Sequence, residues 1–216
     1  MSFWEYLVRN WDDVLILTRD HAVVVATSIV TATVIGVGLG VLTYRNRSAR
    51  ELVLRITGVF LTIPSLALYA LLITVPFLGI GAKPVVVALT MYALLPIIRN
   101  TVTGLLGVDS AIVESARGMG MGRWQRLVRI ELPLAWPVII TGIRVSTLLI
   151  IGIAALGAIV NGPGLGDLIF RGLSSAGRPF ALNFALAGFL GVVVLAAVFD
   201  ALFFLLSRLT TSRGVR

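Results

Sequence analysis

Five stretches of this chain are predominantly apolar: Ala22 to Tyr44, Leu52 to Phe77, Pro84 to Ile98, Trp136 to Val160 and Leu182 to Leu206. Crossing the roughly 30 Å hydrocarbon core of a bilayer takes about 20 helical residues. All but the third run reach that length. The runs are continuous rather than alternating, so each satisfies its backbone polar groups internally as a helix, and a membrane barrel is excluded. Composition agrees: 58% of the residues are hydrophobic and 13% charged, with a mean hydropathy of +1.01, far from the balance of a soluble domain. The reading is an all-α polytopic membrane protein with about five transmembrane helices.

Basic residues then separate the two faces. Arg45, Arg47, Arg50 and Arg55 form one group, Arg99, Arg117, Arg123, Arg126 and Arg129 a second, and Arg208, Arg213 and Arg216 a third. In a five-helix topology all three fall on one side. The other side holds only Arg9, Arg19, Lys83, Arg171 and Arg178, and Arg144 stays inside the fourth run. By the positive-inside rule the arginine-rich side is cytoplasmic, with the N-terminus outside and the C-terminus inside. The net charge of +8 is thus a topology signal and calls for no nucleic acid.

Several chemistries are excluded. With no cysteine and only His21 as histidine, there is no disulfide, thiolate site or multi-histidine metal site, and no metal is expected. Gly36, Gly38 and Gly40 lie within an apolar run rather than after a strand, and Lys83 precedes a proline, so neither a dinucleotide fingerprint nor a P-loop is present. Ser28, Ser65 and Ser146 have no candidate base. No catalytic residue is assigned, and an enzyme is not expected.

The first twenty residues carry Glu5, Asp12, Asp13 and Asp20, unlike a cleavable signal sequence. Phe3, Leu7, Val14 and Leu17 recur at helical spacing beside Trp4 and Trp11, which predicts an amphipathic segment over 1–20 lying at the outer membrane surface. Residues 21–216 form the transmembrane domain, with a cytoplasmic loop at about 107–133. Within the spans, Ala32, Gly36 and Gly40 in the first and Ala187 and Gly191 in the fifth are spaced for close helix packing. Arg144 and Asp200 are the ionisable groups inside confident spans. Counting 1.5 Å per residue from the cytoplasmic ends places them at one depth, so they are expected to pair, the alternative being that Arg144 snorkels to the cytoplasm or lines the pathway alone.

The cytoplasmic loop holds Glu114-Ser115-Ala116, then Gly120 after three intervening residues, then Ile130-Glu131-Leu132-Pro133. Asp109 or Ser110 can cap a helix running to Met119, Gly120 can end it, and Pro133 can sit in the first turn of the next helix. Glu131 reads with Asp109 and Glu114 as part of a solvated face. This spacing resembles the signature loop of the permease subunits of ABC importers, with Ser115 where the middle residue is usually alanine. The stretches at Thr62–Leu72, Tyr92–Leu105, Ala116–Leu127 and Gly164–Leu173 are similar to the permeases of osmoprotectant importers for glycine betaine, choline and carnitine. Methionine and other small-nutrient importers are the alternative, and an ATP-independent channel the third.

The resemblance implies a type I importer permease in the cytoplasmic membrane that opens alternately to either side. An ABC ATPase subunit would bind ATP and magnesium and grip Glu114, Ser115, Ala116, Arg117, Gly120, Ile130, Leu132 and Pro133. A second permease subunit, either a copy or a relative, would complete the pathway, and an external solute-binding protein would deliver cargo. No cofactor is expected in this chain. Pro64, flanked by hydroxyls of Thr62 and Ser65, reads as a kink, either mobile or static. Tyr69 and Tyr92 are candidates for the pathway, with lipid-facing or packing roles as the alternatives. Gly162 to Asp167 cannot be regular helix and should line the pathway or meet the binding protein at the outer end of the fourth run, with Asn161, Gly162, Pro163 and Gly164 as pathway or gate candidates.

Overall fold

The computed structural model describes residues 2–210, and every regular element among them is helical. Arg213 and Arg216 of the third arginine group lie outside the described residues. The elements are α1 (Phe3–Arg9), α2 (Trp11–Thr43), α3 (Arg47–Thr62), α4 (Ser65–Ile73), α5 (Ala82–Leu106), α6 (Ser110–Gly118), α7 (Arg123–Arg126), α8 (Leu132–Ala155), α9 (Gly166–Ser174) and α10 (Ala181–Thr210). A π turn at Leu127–Glu131 joins α7 to α8, and a 3₁₀ turn at Leu156–Val160 ends it. Four helical stretches are long and apolar enough to cross a membrane: Trp11–Thr43, Ala82–Leu106, Arg123–Val160 and Ala181–Thr210.

The second apolar run is not one kinked helix. α3 and α4 meet at 97°, because Ile63 (ψ 126°) and Pro64 (ψ 134°) are both extended. Proline disfavours the helical region for the residue before it and has no N–H to continue the ladder. The Thr62 hydroxyl turns back to the Val59 carbonyl at 2.7 Å. The carbonyl freed at the break, that of Ile63, accepts instead from the Tyr92 hydroxyl of α5 at 2.7 Å. The pair still carries the chain from one end of the bundle to the other. α3 begins beside the end of α2, whereas Gly81, just before α5, donates to the Val160 carbonyl at the far end of α8.

α5 is the hub: it extends past Ile98 to Leu106 and shows its buried side to α2 and α8. The small-residue stripe of α2 permits the first contact. Ala32 is fully buried, and a Cβ at Gly36 or Gly40 would stand 2.8 Å from Ile97 or 2.6 Å from Thr101. Gly104 and Gly142 admit α8 in the same way, against Ala135 and Asn100. On α10, Ala187 is buried and Gly191 abuts Leu165 beside α9.

The N-terminal segment breaks at Asn10 rather than near residue 20. Asp12 and Asp13 occupy the first turn of α2, where carboxylates favour a helix start, and residues 11–20 run unbroken into the first span. Only α1 stands apart, closed by a capping box between Ser2 and Glu5. Tyr6 and Val14 are buried against Leu165, Leu168 and Ala187, whereas Trp4 and Trp11 remain exposed.

Candidate functional site

The arginine-rich end carries a handle built from the sequence up. Asp109 accepts the Ala111 N–H at 2.8 Å and caps α6. At the other end Gly120 N–H donates to Arg117 O and Met121 N–H to Ala116 O, the paired bonds of a Schellman cap. That cap needs a left-handed residue, and Gly120 has φ +80°, which most L side chains adopt at a cost. α6 therefore ends at Gly118 with Met119 as its cap residue.

Its faces are distinct. Ala116 is buried and fastens α6 to the body, while Glu114, Ser115, Arg117 and Gly120 are exposed. Ile112, Met119 and Trp124 also lie open, Trp124 at 72%. Apolar surface next to a charged, capped helix is what a protein partner can grip. Ile130 and Leu132 are half-buried at the start of α8, and Pro133 is exposed.

Pro133 cannot donate to the Arg129 carbonyl. The helix accommodates it with the π turn, in which Leu132 N–H reaches Leu127 O five residues back. The last residue of that turn, Glu131, departs from its sequence reading: it belongs to no solvated face and is 3% exposed. Tyr44 O–H donates to Glu131 Oε2 at 2.6 Å and Arg45 Nη2 to Oε1 at 2.7 Å. Both donors follow directly on α2. Burial, then the Glu131 hydrogen bond, pushes the Tyr44 phenol up to about 12, so it remains a donor at neutral pH. Sequence reasoning missed this cluster because its partners are more than eighty residues away. The available signal was a lone carboxylate at the foot of a span on the same face as Arg45.

At the opposite end, the residues between the 3₁₀ turn and α9 form an irregular mouth. Asn161 is left-handed (φ 56°) and Gly164 lies at φ +132° with His21 so close that a Cβ would stand 2.8 Å from Nδ1. His21 is buried and its Nε2 lies 3.1 Å from the Ile151 carbonyl. Leu17, Ala158, Asn161, Gly162, Pro163, Gly164 and Asp167 surround an open cavity of about 240 Å³. The irregular stretch is shorter than expected, because Gly166 and Asp167 already belong to α9, where Asp167 pairs with Arg171 one turn on.

The two tyrosines that are pathway candidates lie inside the protomer. Tyr69 is fully buried and donates to Ile153 O of α8 at 3.1 Å, while Tyr92, 3% exposed, holds Ile63 O. Pro64 directly follows Ile63 and is itself exposed. Arg144 and Asp200 meet across α8 and α10 in a bidentate pair, with Nε to Oδ1 at 2.6 Å and Nη2 to Oδ2 at 2.7 Å. The pair is partly exposed on the bundle surface.

Comparison with known proteins then places this architecture. The osmoprotectant import permease protein OsmW of Salmonella typhimurium is 39% identical over the full length of both chains. The glycine betaine/carnitine/choline transport system permease protein OpuCB of Bacillus subtilis is 36% identical, covering 98% of this chain and 94% of its own. The choline transport system permease protein OpuBB of the same organism is 36% identical, with 98% and 95% covered. Among solved structures, a chain of the inward-facing MetNI methionine ABC transporter superposes with a TM-score of 0.78 at 24% identity, over 98% of this chain and all of the other. That likeness shows the fold of a type I importer permease. Residues 32–212 match the binding-protein-dependent transport system inner membrane component family, and with relatives of this identity along its whole length, this multi-pass inner-membrane chain belongs to that family.

Proposed function

We propose that this chain is a permease subunit of an ATP-driven importer for compatible solutes of the quaternary-amine class, such as glycine betaine, choline and carnitine. The observation that carries the substrate class is the run of relatives at 36–40% identity whose names specify those solutes. An ABC ATPase subunit binds ATP and magnesium and grips α6 and its neighbours. A second permease, copy or relative, supplies the other wall of the pathway. A solute-binding protein docks at the mouth formed by Asn161, Gly162, Pro163 and Gly164. The arginine-rich end faces the cytoplasm and the N-terminus lies outside.

Transport rests on those contacts. Closure of the ATPase pair moves the handles, the helices rock to open the pathway outward, and hydrolysis returns them. Tyr69 and Tyr92 act as internal struts in this reading, since both hydroxyls are committed to carbonyls. Uptake of labelled glycine betaine, choline and carnitine into vesicles containing the reconstituted complex tests the proposal. Uptake of at least one amine that requires both ATP and the binding protein is expected. Methionine uptake with none of the amines, or flux without ATP, would overturn it.

A further inference from the structure

Glu131 is a buried carboxylate at a position where a solvated glutamate would cost nothing. Taking a carboxylate out of water is unfavourable unless paired and fully hydrogen-bonded, and here both oxygens have donors of ideal length. The donors belong to one compact corner. Arg45 lies 5.0 Å from the centre of the Tyr44 ring, Arg50 of α3 donates to the Tyr44 carbonyl at 3.0 Å, and Asn46 caps α3 through the Ala49 N–H. One carboxylate thus fastens the corner between α2 and α3 to the foot of α8.

The foot of α8 is also where the handle is attached. From α6 the chain runs through α7 and the π turn, and Glu131 is the last residue of that turn. An extra residue in a helical turn rotates the rest of the helix by about 100°, so the π turn sets which way Glu131 faces. A displacement of α6 reaches α8 along the chain itself. α2 and α3 have no covalent route to it on this side, and the Glu131 cluster is the polar link between them.

We propose that Glu131 is a positioning residue for coupling: with Tyr44 and Arg45 it makes α2 and α3 move with α8 when the handle is displaced, so that closure of the ATPase pair opens the pathway. This rests on the transport function proposed above. A purely structural tie would lower the amount or stability of the complex and leave the surviving complexes normally coupled. A coupling tie raises the ATP spent per solute moved when it is cut.

The measurement is that ratio, for glycine betaine, in vesicles containing the complete complex, alongside complex recovery and thermal midpoint. Glu131→Gln keeps the shape and loses the charge, Tyr44→Phe loses one bond, and Arg45→Gln loses the cation. Each is expected to raise ATP per solute at least threefold, with Tyr44→Phe the mildest. Glu51→Gln, which removes an exposed pair with Arg47 and Arg55 on α3, is expected to leave the ratio unchanged. If Glu131→Gln fails to assemble, Tyr44→Phe and Arg45→Gln decide together. A ratio equal to wild type in recovered Tyr44→Phe and Arg45→Gln complexes would overturn the inference. Absence of ATP-driven uptake in the wild-type complex would instead overturn the transport function.

Discussion

The pairing of Arg144 with Asp200 shows how far one residue can be read alone. A charge inside a membrane span is costly and seeks a partner, so depth counting along two helices was enough to bring these two together, and the guanidinium fork meets both carboxylate oxygens. Asp200→Asn and Arg144→Gln are each expected to reduce recovery of the assembled complex several-fold. Arg144→Lys should be intermediate, since an ammonium cannot reproduce the two-pronged contact. Exchanging the pair, Arg144→Asp with Asp200→Arg, should restore part of the loss, and equal recovery for the single variants and wild type would show that the pair does not hold α8 to α10. Glu131 obeys the same physics yet escaped, because its sequence neighbours Arg129 and Pro133 mark a loop and nothing local reveals Tyr44 and Arg45 beside it. Tyr69 and Tyr92 stay open between pathway and packing in the sequence for a related reason: an aromatic in an apolar run has no periodic signature that separates a pathway wall from a strut.

At the scale of elements, caps and breaks were more legible than the geometry they produce. Asp109 and Gly120 delimit α6 much as turn chemistry requires, whereas the 97° angle at Pro64 exceeds what a proline kink inside a helix would give. The difference lies in Ile63, whose freed carbonyl found a donor on another helix, and no local pattern encodes Tyr92 O–H as that donor. The handle itself yields a prediction that separates backbone from contact. Nothing lies within 4 Å of where a Cβ at Gly120 would stand, so a substitution there acts through φ. Gly120→Val should cost roughly 1 to 2 kcal/mol at the cap and weaken recovery of the ATPase with the permease, while Gly120→Asn, which tolerates left-handed backbone, should stay near wild type. Co-purification of the two subunits from membranes with matched permease levels reads this directly. Glu114→Ala, on the exposed face of α6, should lower solute-stimulated ATPase activity without changing permease level. Normal stimulation in both Gly120→Val and Glu114→Ala would remove α6 from the docking surface.

For the whole molecule, hydropathy and the arginine groups imply a sidedness that the helix arrangement makes specific. The ends of α2 and α5 and the starts of α3 and α8 gather at one pole with α6 and α7, while α9 and the start of α10 lie at the other; the contacts of Tyr44 with Glu131 and of Gly81 with Val160 mark the two. The bent pair of α3 and α4 joins these poles, so counted as one span it brings the crossings to five, and α1 and the end of α10 lie at opposite poles. In the most apolar span, α10, only 6% of an 18-residue apolar stretch is buried within the protomer, as expected of a helix that faces lipid or a second permease. Because the protein has no cysteine, single cysteines report sidedness without background. Ser2→Cys and Ala176→Cys are expected to react with a membrane-impermeant maleimide in intact cells, and Gln125→Cys in α7 only after the membrane is permeabilised. Reaction of Gln125→Cys alone in intact cells would invert the topology. Reaction of Ala176→Cys with Ser2→Cys protected would mean that α3 and α4 enter and leave on the same side, leaving four crossings. Only the expected pattern would present α6 to the proposed ATPase in the cytoplasm while the mouth around Gly162 and Pro163 faces the proposed external binding protein, and the proposed import depends on that arrangement.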